Sequence, residues 1–509
     1  MVWLMACTDG TDTTALLARW SLDLRGARPT LEELDAAESD PDGLDGQLET
    51  FLADDRFGDQ VRAAASPIWL TRADEADSAD VSYAVEDTKG LLAAMGEEPL
   101  RILGYVAQAD LPYTDLVTGD WTMVDERLAP WYPTDYPEGG TGWQKVRWTD
   151  HRPEAGVLVS SGLWWRYPTT TGNANRGRAN ALIRILLCSD VLDQDVEVDA
   201  EVDLTDDAAV HDALHNNPSC VACHSVIDPI GSYFWGFYVE FGSNPADLAN
   251  YHPERERYWQ TYGAGQTPSF YGVPGDNLAD LGRQIAADPR FPNCAVEQTM
   301  ASLLQRDLTM HDTTAVTVHR QAFLDGGTKL RSLWRSIATS DEYREIAEDP
   351  ADARPKLLNP DQFVSALDDI TGWRFTTDGA DAFDDDRYGL RSMTGGGRAV
   401  FGAGKVLEPT PAMVLAQARL AEAAAAYVAA ADHADPGRLF TAEDFETDTP
   451  DEERIVALYR RALSRRPSDD EVAELVSLWQ ELRDTEGSTE SAWAGVLTAI
   501  LRQPDFLVY

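Results

Sequence analysis

Two of the five cysteines fall in Cys220-Val-Ala-Cys223-His224, the CxxCH spacing of covalent c-type haem attachment. Two thiols three positions apart on one helical turn can add across the two vinyl groups of one porphyrin, and the neighbouring imidazole then projects at the iron. Cys220 and Cys223 are therefore the candidate cofactor-binding residues for haem c, and His224 the candidate proximal iron ligand. With 5 Cys and 8 His in 509 residues, a chance CxxCH is expected on the order of once in a thousand such chains.

The distal side of such an iron is open to Met310, Met300 or His215, or to no protein ligand at all. Zinc is the rival chemistry. His211 and His215 are four apart and share a helix face, so with Cys220 and Cys223 they could close a tetrahedral site; that arrangement leaves His224 without a role. A thioredoxin-type pair would want a βαβ setting, and the flanks read as helical. Asp228-Pro-Ile-Gly231 reads as a turn directly after the ligand helix, either a short haem-binding loop or a common Asp-Pro turn with no ligand. The aromatic run Ser232 to Phe241 is either a haem-covering wall or ordinary core.

The elements that position these residues are mostly helical from Ala15 onward. Thr30-Leu-Glu-Glu33, Thr449-Pro-Asp-Glu452 and Ser468-Asp-Asp-Glu471 read as capping boxes. Ile455, Leu458, Tyr459 and Leu463, then Val472, Leu475, Val476 and Trp479, line helix faces. A recurring phrase ends helices with an aromatic that can fold back onto the core: Phe57, Phe291, Tyr343 and Phe506. Between Pro112 and Pro168 the texture changes to Pro, Gly, Tyr and six tryptophans, Trp121, Trp131, Trp143, Trp148, Trp164 and Trp165, which read as loop packing more than as sugar platforms. Ala416 to Ala431 reads as a closely packed helix. The organisation expected is a leader remnant over 1–14, an N-terminal helical domain over 15–111, a loop-rich connector and helix over 112–200, a cytochrome-c-like domain over 201–345 and a C-terminal helical domain over 350–509.

Forty-two Lys and Arg against 87 Asp and Glu leave a formal charge of −45. Such a field repels phosphate backbones, so nucleic acid is excluded as a partner. No apolar run reaches the ~18 residues of a membrane span. Leu4-Met-Ala-Cys7 resembles a bacterial lipobox, which makes Cys7 a candidate lipidation site and a lipid anchor the expected link to a membrane. Once Cys7 and the CxxCH pair are assigned, Cys188 and Cys294 remain, a natural disulfide in an oxidising compartment.

Asn217-Pro-Ser-Cys-Val-Ala-Cys-His-Ser-Val-Ile-Asp-Pro-Ile-Gly231 resembles the cytochrome-like segment of large helical proteins of planctomycetes and myxobacteria, in which conserved domains of unknown function flank a CxxCH segment. Leu17 to Thr30 followed by Arg56-Phe-Gly58 is similar to their N-terminal helical domain. His151 to Leu158 with Arg176-Gly-Arg-Ala179 is similar to the segment before the haem motif, and Leu458 to Pro467 with Pro504-Asp-Phe-Leu507 to their C-terminal domain. The resemblance implies a mainly α, multi-domain helical protein with a central cytochrome-c-like haem-binding region. The expected work is electron transfer by an extracytoplasmic protein, in the periplasm or at the outer membrane surface, with a redox partner protein that the sequence does not name. No catalytic constellation beyond the haem is visible, so a carrier is favoured over an enzyme. A haem-dependent oxidoreductase subunit, or a zinc-stabilised or metal-free surface lipoprotein with an adhesive or carbohydrate-related role, is the alternative. Asp384-Asp-Asp386 reads as a solvated acidic face.

Overall fold

The computed structural model describes residues 13–72, 88–170, 172–191, 202–203, 205–237, 250–262, 266–348, 356–377, 379–383, 389–395 and 408–509. Within them the fold is mainly α-helical, as the apolar periodicity predicts. The strands among the described residues are short antiparallel pairs: Thr122–Val124 with Gln144–Val146, Ser269–Phe270 with Val273–Pro274, and Thr376–Thr377 with Ala380–Asp381. No described helix is long and apolar enough to cross a membrane.

Two of the three expected capping boxes form. Thr30 and Ser468 accept from the backbone of Glu33 and Glu471, whose carboxylates reach back to the caps of helices Leu31–Ser39 and Asp469–Glu486. The third is corrected. Helix Glu452–Leu463 is capped by Asp451, which accepts from the backbone N–H of Glu453. Thr449 is instead held in a local turn, its N–H donating to Thr447 Oγ1 at 3.1 Å.

The four recurring aromatics do seat in the interior: Phe57, Phe291 and Tyr343 stand in the first turn of the next helix, and Phe506 closes the terminal 3-10 turn. Phe57 starts helix Phe57–Trp69 and meets Trp334 edge-on at 5.4 Å. Phe291 stacks on Tyr113 at 4.6 Å, and Phe506, in the terminal 3-10 turn Pro504–Phe506, meets Phe363 at 5.9 Å. Tyr343 is fully buried. At Phe57, Phe291 and Tyr343 an aromatic in the first turn thus ties the helix entry to the interior.

One large core gathers side chains from Leu16 to Tyr343, so the stretches read as N-terminal, connector and cytochrome-like segments share an interior. A second core gathers Leu357 to Leu507 together with Leu22. In it the Ala-rich helix Pro411–Ala434 packs along Thr489–Leu501, with Ala421, Ala424, Ala425 and Ala429 fully buried. None of the six connector tryptophans is exposed. Trp131, Trp143, Trp148 and Trp165 cover a small satellite core around Met95, Val124, Leu128 and Tyr132, a packing role and not an open sugar platform.

The two large cores are joined by buried polar contacts. Asp23 receives the Lys356 ammonium at 2.5 Å, the Tyr343 hydroxyl at 2.5 Å and the Tyr509 hydroxyl at 2.7 Å. Arg72 reaches Asp361 at 2.9 Å. Burying these charges is tolerated because each is paired and hydrogen-bonded.

Candidate functional site

The CxxCH residues lie on helix Pro218–Gly231. Asn217 caps it, its side chain accepting from the Ser219 N–H at 3.0 Å, and Pro218 occupies the first position, where no N–H is needed. The expected turn at Asp228 is corrected: the helix continues through Pro229 to Gly231 and passes into the 3-10 segment Ser232–Phe237. Pro229 removes only the bond to the carbonyl of Ser225, an exposed residue whose carbonyl water can serve.

Cys220 and Cys223 stand one turn apart, half-buried, and neither is in a disulfide. Cys223 packs against the main core, with its Sγ 3.8 Å from the Val191 carbonyl oxygen. Val191 is held there because its N–H donates to Asn180 Oδ1 at 2.9 Å. His224 is half-buried on the same helix. Its Nδ1 lies 3.0 and 3.2 Å from Asp228 Oδ1 and Oδ2, four residues on.

Asp228 is buried and also receives a guanidinium. Arg176 donates from Nε to Oδ1 at 2.6 Å and from Nη2 to Oδ2 at 3.2 Å. Burial pushes the Asp228 carboxyl up, but the bonds from His224 and Arg176 outweigh it and hold the group below the usual carboxylate range. The approach that makes this possible runs through Gly231. A Cβ there would lie 2.9 Å from the Ala174 carbonyl oxygen, so glycine lets the end of the CxxCH helix press on the 174–175 turn. Ala174 and Asn175 adopt left-handed φ values of 50° and 62°, and Arg176 opens helix Arg176–Leu187 directly after them.

The elements packed most closely on the CxxCH helix are Arg176–Leu187, Asp207–Asn216, Ser232–Phe237 and Ser269–Phe270. His215 lies on the second of these, exposed, with Nδ1 2.8 Å from the His211 carbonyl oxygen. Met300 is buried in the main core on helix Arg290–Leu304, and Met310 is 91% exposed in the 3-10 turn Met310–Asp312. Both methionines belong to other elements. Cys188, at the end of Arg176–Leu187, is joined to Cys294 of Arg290–Leu304 in a disulfide with Cα atoms 5.2 Å apart. Tyr233, Phe234, Trp235 and Phe237 are buried as core, Phe234 meeting Trp164 at 4.4 Å and Phe237 meeting Tyr251 at 5.1 Å. Cys7, Asp384 to Asp386 and the last aromatics of the run, Tyr238 and Phe241, lie outside the described residues.

Among the described residues no three His, Cys, Asp or Glu side chains gather in a group able to hold a metal ion. The rings of His211 and His215 lie 4.6 Å apart, tilted by 31°, and do not converge with Cys220 and Cys223 into the four-ligand zinc site. The donor set does suit a covalently held haem, which asks the protein for two free thiols one turn apart and one imidazole nitrogen. With Nδ1 turned to a carboxylate, Nε2 is the ring nitrogen left to face a metal. The sequence reading places Asp228 only in a turn or loop after the ligand helix and gives neither its side chain nor that of Arg176 a part at His224. The four-residue spacing of His224 and Asp228 carried the signal for the first; nothing local pointed to the second.

A family described as PSD4, protein of unknown function (DUF1592), matches residues 13–133, the N-terminal helices and the start of the tryptophan-rich stretch, and stops before the CxxCH helix. None of the curated proteins and none of the solved structures matches the chain.

Proposed function

We propose that this chain binds one haem through thioether bonds to Cys220 and Cys223, with His224 as the proximal iron ligand, and that it works in electron transfer. The observation that carries the reading is the disposition of three side chains on one helix: two free, half-buried thiols one turn apart and an adjacent imidazole whose Nδ1 is committed to a buried carboxylate. The N-terminal match supports it from a separate part of the chain, since that family is typical of planctomycete cytochrome-c-like multi-domain proteins.

Haem supplies one-electron exchange between ferric and ferrous iron. The chain's own part is to anchor, orient and shield. Cys220 and Cys223 fix the ring to the helix so that it does not dissociate outside the cytoplasm. The core beside Cys223 offers apolar surface, and His224 presents Nε2 while Asp228 and Arg176 restrain its ring. A disulfide and covalent haem both belong to an oxidising, extracytoplasmic setting, which is where we place the protein.

Substitution tests the assignment in the full chain co-expressed with the periplasmic haem-attachment machinery. Cys220→Ala and Cys223→Ala should each lower the yield of covalently loaded protein severalfold. His224→Ala should abolish the native axial-ligand signature in the visible spectrum of whatever haem remains. Equal loading and identical spectra in all three variants would overturn the assignment.

A further inference from the structure

We infer that Asp228, clamped by Arg176, is the positioning residue for His224: it holds the imidazole with its proton on Nδ1 and thereby pulls the site toward a low reduction potential. The inference rests on the haem reading above and deepens it.

The geometry is specific. An ionised carboxylate only accepts, so an imidazole nitrogen 3.0 Å from Asp228 Oδ1 must carry the hydrogen. The proton is then on Nδ1 and the lone pair on Nε2. Arg176 meets the same carboxylate with Nε on one oxygen and Nη2 on the other, the side-on fork that fixes the plane of a carboxylate as well as its charge. Because Asp228 and the histidine share one helix while the arginine comes from the helix packed across it, the carboxylate is restrained from two directions. The Ser232 hydroxyl ties the next turn, donating to the Asp228 carbonyl at 3.0 Å. A carboxylate behind a ligand imidazole raises its basicity toward the metal. Stronger donation favours ferric over ferrous iron, so the potential falls relative to a site whose histidine meets a neutral acceptor. A buried ion pair of purely structural use would leave the His224 tautomer indifferent to the charge at position 228.

Two measurements on the full chain decide it. In protein made without haem attachment, ¹⁵N shifts of the His224 ring at about pH 9, above the ordinary histidine range, should report the Nδ1–H form; the Nε2–H form or an even mixture overturns the inference without recourse to any variant. In haem-loaded protein, Asp228→Asn should raise the midpoint potential by an amount equivalent to about a tenfold change in the ferric-to-ferrous ratio, about 59 mV for one electron. A potential that does not move, with covalent haem present in both proteins, overturns the inference and leaves the haem reading standing. A wild-type chain that shows the Nδ1–H form but takes up no covalent haem fails the haem reading and leaves the positioning role of Asp228 intact.

Discussion

Arg176 and Asp228 are 52 residues apart in sequence and meet through two hydrogen bonds, 2.6 Å from Nε and 3.2 Å from Nη2. This contact ties the CxxCH helix to helix Arg176–Leu187. Removing the guanidinium leaves a buried carboxylate whose remaining side-chain partner is the His224 imidazole. Arg176→Ala should therefore destabilise the protein by about 3 kcal/mol, read as a lower denaturant midpoint. A midpoint unchanged within error would show that the pair contributes nothing to the fold.

Cys188 and Cys294 close a loop of 106 residues, and cross-linking so long a loop restricts the unfolded chain by roughly 3–5 kcal/mol. Alkylation of denatured protein without reductant, followed by peptide mapping, should find both thiols protected. Replacing both cysteines with alanine should lower the unfolding midpoint. Labelling of either residue without reductant would remove the bridge from the account.

Glu98 is fully buried and receives the Thr122 hydroxyl at 2.7 Å, the Tyr132 hydroxyl at 2.8 Å and the Gly162 N–H at 2.8 Å. Burial outweighs these donors and pushes its carboxyl up to about 7 from 4.5. Between those values the unfolded chain has lost the proton and the folded chain keeps it, so this group's contribution falls as pH rises from about 4.5 to 7, by about 3 kcal/mol in total. His319, whose own affinity for protons is lowered by burial, acts in the opposite sense in an overlapping range, so the test is a difference. Wild type minus Glu98→Gln, measured by denaturant unfolding at several pH values, should show stability declining across that window; a flat difference would contradict the assignment.

The Asp23 carboxylate between the two cores has Lys356 as its charged partner at 2.5 Å. Lys356→Met should cost about 3–5 kcal/mol by stranding that carboxylate, and adding Asp23→Asn should recover part of the loss. Additive losses in the double variant would mean that the two side chains act independently.

Much of the fold is legible in the sequence because helix signals are local. Thr30 with Glu33 and Ser468 with Glu471 announce helix starts from residues three apart. The Thr449 reading missed because Asp451, nearer the first turn, offers the better acceptor. Boxes whose third residue is Asp or whose cap is Asn, at Thr309 with Asp312, Thr441 with Asp444 and Asn359 with Gln362, escaped the Thr/Ser-to-Glu pattern. At the site, the thiols and His224 are legible as one motif. Asp228 was hidden by Pro229, which suggests a break that the helix does not make. Arg176 is invisible to any local rule, because its place depends on Gly231 allowing one helix to press on the turn before another. The shared interior from Leu16 to Tyr343 is likewise a product of long-range packing that periodicity does not report.

The central claim is that Cys220 and Cys223 hold haem covalently, and the most direct measurement is the intact mass of the full chain after co-expression with the attachment machinery and acid–acetone extraction, which strips any haem not bonded to the protein. The account predicts a mass increased by one haem, mapping to the peptide that contains Cys220 and Cys223. An unmodified mass with both thiols free would contradict it.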